Sequence, residues 1–160
     1  MNFLQKIYKK SKEQKGFTLV EMIVVLVIIA ILAAITIPAL LKYIDKARDK
    51  QIVINARTAY LAAETAVSEA YAAGGKATAF VTDKSFQFGN SPTTTTEQAE
   101  KDVIKNAEDL TGLDKSSYTC KVTTNSQRNI IEIQFKDEKN SKVAIMKDGG
   151  SWTVSGGGIS

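Results

Sequence analysis

The stretch Gly16–Leu41, GFTLVEMIVVLVIIAILAAITIPALL, constrains this chain more than any other. Met22 to Ile35 are fourteen apolar residues without a break, and over the 25 residues from Phe17 to Leu41 Glu21 is the one ionisable side chain. About 20 apolar residues carry a helix across a bilayer. The stretch therefore predicts a helix of membrane-spanning length with two flanking features to explain. A run of lysines precedes it, and a carboxylate sits just inside it.

Charge localises the first feature. The chain of 160 residues has a formal net charge of +4. Residues 1–16 hold Lys6, Lys9, Lys10, Lys12 and Lys15 against Glu13, which accounts for all of it. From Phe17 onward, 16 basic and 16 acidic side chains balance. No nucleic-acid surface is expected from such a distribution. A basic head before an apolar run is a topology signal that keeps the N-terminus cytoplasmic. The run is too long for an ordinary secretory signal, and its far end lacks a small-x-small cleavage site. Gly16-Phe17 offers a different cut, one that removes the lysines and keeps the apolar helix.

Catalytic chemistry is sparse. Histidine is absent, which removes the commonest general base and metal ligand together. There is no phosphate-cradling glycine loop and no zinc spacing, so neither an enzyme nor a cofactor or metal is expected. The single cysteine, Cys120, cannot form an internal disulfide and reads as a small apolar core residue.

The segment Lys15 to Glu21, K-G-F-T-L-V-E, followed by the long aliphatic run and Pro38, resembles the type IV pilin family. The resemblance is strong from Gly16 to about Lys50 and covers the rest by architecture alone. It implies cleavage of a leader, Met1–Gly16, by a membrane prepilin peptidase, followed by N-methylation of Phe17. It also implies polymerisation into a helical homo-oligomeric filament, with a cytoplasmic assembly ATPase and a platform membrane protein as partners. The subunit would wait as a single-pass precursor in the cytoplasmic membrane and end in a surface pilus. Gram-negative pilins often carry a C-terminal disulfide, so the lone Cys120 points to a Gram-positive source.

The resemblance places Glu21 opposite the Phe17 α-amine of a neighbouring subunit. A carboxylate at the bilayer centre costs about 2.5–3.5 kcal/mol on insertion scales, and intramembrane acids usually pair. Two buried opposite charges are tolerable together where one alone is costly. The residues by themselves leave another reading open, in which Glu21 complements the positive end of its own helix. Pro38 lacks an N–H and its ring clashes with the Ala34 carbonyl, so a kink or loosening is expected near Ala34–Pro38.

Past Leu41 the pattern becomes amphipathic. Ile44, Ile52, Ala56, Ala59, Ala63, Ala66, Val67 and Ala70 share one broad face. Gly74-Gly75 stops the helix. A helix from Phe17 to Ala73 would be 57 residues, about 85 Å long. Its apolar half must be covered by lipid or by copies of itself. Lys76–Thr96 reads as a loop pinned by Phe80, Val81, Phe86 and Phe88. Thr93–Thr96 reads as a polar loop, open to O-glycosylation if exposed. A weak capping box, Thr94 with Glu97, opens a short helix to Leu110 with Ala99, Val103, Ala107 and Leu110 on one face. From Tyr118 the period becomes two, giving an antiparallel meander of about four strands.

The expected fold is α+β: a long N-terminal helix packed on a C-terminal antiparallel sheet, the pilin fold. Residues 1–16 form the leader, 17–41 the apolar helix, 42–75 its amphipathic half, 76–117 a connecting loop with a short helix, and 118–160 the meander and tail. Two alternatives stand beside the pilus subunit. One is a pseudopilin of a type II secretion or competence system, in which Asp137, Glu138 and Asp148 could hold Ca²⁺, although acids in separate turns are usually plain surface. The other is a single-span membrane protein with a ligand-binding outer domain.

Overall fold

The computed structural model describes residues 16–74, 84–90 and 98–159. Its elements are helix α1 (Leu19–Ala73), strand β1 (Ser85–Gly89), helix α2 (Gln98–Thr111), a short 3₁₀ turn (Lys115–Ser117) and strands β2 (Tyr118–Thr124), β3 (Ile130–Asp137), β4 (Lys142–Lys147) and β5 (Thr153–Gly156). The fold is α+β, a long apolar-fronted helix followed by one antiparallel sheet, as the sequence predicts. The chain divides into two compact units, Met1–Asp45 and Lys46–Ser160.

In the first unit the large apolar side chains of α1 are exposed among the described residues. Leu19 is 74% exposed, and Leu26, Ile31, Leu32 and Ile35 are exposed in the same way. By length and composition this helix can cross a membrane. The helical backbone continues through Pro38. Thr36, two residues earlier, donates its hydroxyl to the Leu32 carbonyl at 2.9 Å and so hides its polar atom along the helix.

The second unit holds the core. Alanine is the best helix former and the smallest side chain that still excludes water. From Lys46 on, α1 buries Ile52, Ala56, Ala59, Ala62, Ala63, Ala66, Val67 and Ala70. This is the predicted face with two changes: Ala62 joins it, and Ile44, which belongs to the first unit, is 38% exposed. The small face accepts large partners, Phe86, Phe88, Tyr118, Ile133 and Phe135. The rings form a chain, with Phe88 edge-on to Tyr118 at 6.1 Å and Tyr118 stacked on Phe135 at 5.3 Å. Gly74 then ends the helix at φ 71°, a conformation that costs glycine little, and its N–H caps the Ala70 carbonyl at 3.2 Å.

The sheet has five strands in the order β1-β2-β3-β4-β5, not about four. The added strand is Ser85–Gly89, which the sequence suggests is loop. Five residues are too few to display a period convincingly. Pairing decides the matter, with Phe86 opposite Val122 and Phe88 opposite Cys120. The other four strands fall where the period-two pattern puts them. Phe135 lies opposite both Cys120 and Ala144, and Ile133 opposite Val122 and Met146, which fixes the face turned to α1. Cys120 is fully buried, and burial pushes its thiol well above the ordinary value.

Helix α2 departs from its predicted face. Val103 and Ala107 are buried, but Leu110 is 46% exposed and Ile104 and Thr111 turn inward instead. Thr111 can be buried because its hydroxyl has partners, donating to the Glu108 carbonyl at 2.8 Å and lying 3.1 Å from Tyr118 Oη. The Thr94–Glu97 box, Phe80, Val81 and Thr93–Thr96 lie outside the described residues.

Candidate functional site

The residues singled out around Gly16 come together at the start of α1. Gly16, Phe17 and Thr18 are not helical, and α1 begins at Leu19. Phe17 is 79% exposed. A Cβ placed on Gly16 would meet nothing within 4 Å, and its φ is not one that favours glycine. The fold therefore does not require glycine here.

Glu21 is held locally. The Thr18 amide N–H donates to Glu21 Oε2 at 2.9 Å, and the Thr18 hydroxyl donates to the same oxygen at 2.9 Å. In return the Glu21 amide donates to Thr18 Oγ1 at 3.2 Å. This is a capping box, in which Thr at the N-cap and Glu three residues on satisfy each other's free N–H groups. The signal is legible as T-L-V-E ahead of an apolar run, the same spacing noted at Thr94 and Glu97. Thr18 is the residue that sequence reasoning passes over. The carboxylate also lies where the helix dipole is positive. Within one chain, then, the local reading of Glu21 has a complete geometry.

The first-unit site thus offers three things in order: a peptide bond in exposed non-helical backbone, a hydroxyl-anchored carboxylate, and an uncovered apolar helix.

Residues 11–37 match the prokaryotic N-terminal methylation motif. The match takes in Gly16, Phe17 and Glu21 and stops one residue short of Pro38. Over 40 residues the chain is 52% identical to fimbrial protein Q of Moraxella bovis, which is 25% of this chain and 26% of that protein. The matched stretch thus spans about a quarter of that relative. No solved structure matches the chain.

Elsewhere the polar clusters do structural work. Glu108 accepts from the Gly89 amide at 3.1 Å and from Lys115 Nζ at 2.7 Å, clipping β1 and the 3₁₀ turn to α2. Lys142 meets Asp49 at 2.5 Å. Arg128 lies 3.8 Å over the Tyr71 ring. Asn106 donates to Glu69. The acids weighed for Ca²⁺ do not converge. Asp137 accepts from the Asn140 amide at 2.8 Å and Glu138 from Lys136 at 2.6 Å, both by the β3–β4 turn, whereas Asp148 follows β4 at its other end. Among the described residues no group of three His, Cys, Asp or Glu side chains is arranged to hold a metal.

Proposed function

We propose that this chain is the structural subunit of a type IV pilus. The observation that carries the reading is the juxtaposition at the start of α1: the exposed Gly16–Phe17 bond, the carboxylate of Glu21 and a helix whose large apolar side chains are exposed among the described residues. A prepilin peptidase cuts after Gly16 and releases Met1–Gly16. Phe17 becomes the new N-terminus and is N-methylated. Lipid covers the apolar helix while the subunit waits in the cytoplasmic membrane, N-terminus inward. Neighbouring copies cover it in the filament.

Little hydrophobic energy separates lipid from a helix bundle as surroundings. Assembly therefore needs an external drive, supplied by a cytoplasmic ATPase working on a platform membrane protein. Head-to-tail contacts between identical subunits whose rotation does not close give open helical filaments. Glu21 sets the register by meeting the Phe17 amine of a neighbour, and Pro38 loosens the helix where the spanning segment ends. The buried, solitary Cys120 accords with a Gram-positive source. A pseudopilin would share every feature of the first unit; the fimbrial name of the matched relative supports the surface filament instead.

Intact-mass measurement of the native protein tests the processing. The expected result is loss of residues 1–16 and gain of one methyl group on Phe17. An unprocessed chain in a cell that makes filaments overturns it. In the same cells Glu21→Val is expected to insert, mature and fail to assemble, read as loss of surface filaments by electron microscopy. Wild-type filament yield would leave Glu21 with its capping role alone.

A further inference from the structure

Both donors of Thr18 act on a single oxygen of Glu21, Oε2, while the Glu21 amide returns the bond to Thr18 Oγ1. On a soluble helix this would be an ordinary cap. Here the next fourteen residues, Met22 to Ile35, are all apolar. On the membrane reading above, on which this inference rests, Glu21 enters the bilayer in the uncleaved precursor. At that stage no α-amine exists, because Phe17 is still joined to Gly16, and no neighbouring subunit has arrived. The charge needs a partner that comes with its own chain.

We infer that Thr18 is a positioning residue that lets Glu21 lie at membrane depth before cleavage and before assembly. Its amide and hydroxyl replace the water that lipid withholds from the carboxylate. Hydrogen bonds to a charged group are stronger than neutral ones and gain weight where water is excluded. The arrangement outlasts processing, since cutting the Gly16–Phe17 bond leaves the Thr18 amide intact. It also leaves the site open. The two Thr18 bonds go to Oε2, so Oε1 can accept an incoming amine without dismantling the box. Glu21 thus reaches the assembly step already oriented.

The test uses the full precursor, synthesised without peptidase in the presence of phosphatidylethanolamine–phosphatidylglycerol vesicles. The ratio of alkali-resistant to alkali-extractable chain is the readout. Thr18→Val is expected to lower that ratio about tenfold, in line with loss of hydrogen bonds to a charge. Thr18→Ser keeps the hydroxyl and is expected to match wild type. In a Glu21→Val background, Thr18→Val is expected to change the ratio less than about twofold, because no carboxylate remains to shelter. Wild-type insertion of Thr18→Val overturns the proposal. So does an equal loss in both backgrounds, which would make Thr18 a general helix cap. If the wild-type precursor itself is fully extractable, the membrane reading fails and this inference falls with it. Filament formation is not read, so a failure of the pilus reading alone leaves the result intact.

Discussion

Helix α1 solves one problem twice, in opposite ways. In the first unit its faces carry Val, Ile and Leu, all exposed; in the second its inner face carries mainly Ala, all buried. The larger hydrophobes stand in the open and the smallest are packed away. The usual rule that large apolar side chains mark the core is inverted along one continuous element. A soluble core is assembled by shape. Small alanines admit Phe88, Tyr118 and Phe135 close to the helix, and the fit is specific. A surface meant for lipid, or for many identical neighbours, needs only to be apolar and long. The two halves should therefore respond very differently to substitution.

The largest expected effect opposes one side chain from each half. Phe88→Ala removes a ring that is 1% exposed and should cost the second unit about 3–5 kcal/mol of unfolding free energy. Leu32→Ala, at a position 57% exposed, should leave that unfolding unchanged. Urea titration of the full chain in detergent micelles, followed by Trp152 fluorescence, reads both. Equal destabilisation would end the contrast.

Two glycines sharpen it. Gly89 has φ 93°, and a Cβ there would strike the Tyr118 carbonyl and approach its ring to 2.8 Å. Gly89→Ala should cost about 3 kcal/mol, from strain and overpacking together. Gly16 has open space around it. Gly16→Ser should leave the same unfolding transition untouched while the precursor accumulates uncleaved on a gel. Packing requires the first glycine; on the proposed reading, the processing peptidase requires the second.

The smallest expected effect is in the pH dependence. Glu138 is held below the ordinary carboxylate range by Lys136 and Thr119, and Glu132 by Gln134 and Lys147. A carboxylate with a lowered folded-state value contributes stability above its unfolded value, about 4.3, and loses it as pH falls through the folded one. Acid should therefore weaken the second unit gradually below about pH 4.3. Lys136→Met should flatten the change, measured as denaturation midpoint against pH. Both pairs are partly exposed, so added salt should shrink the effect.

Much of this was legible because it depends on local pattern. The apolar run, the alanine face, the Gly74 stop and the alternation from Tyr118 each have a period or a stop residue behind them. The misses share a different cause. Ser85–Gly89 is a strand because Phe86 and Phe88 find Val122 and Cys120, more than 30 residues on. Leu110 is exposed and Thr111 buried because Tyr118 Oη lies 3.1 Å from the Thr111 hydroxyl and gives it a polar partner inside. Neither partner can be seen from within the segment. Thr18 is the exception, since its spacing to Glu21 was in plain view and local.

By itself, then, the sequence determined that one helix must live in two surroundings. It also determined that a basic head precedes the apolar part and that an acid lies at its start. Covalent order and side-chain polarity suffice for those conclusions. Tertiary structure decided the fifth strand, the inward face of α2 and the aromatic chain against the alanines. Those depend on which surfaces meet, and van der Waals packing is settled only when both partners are in place.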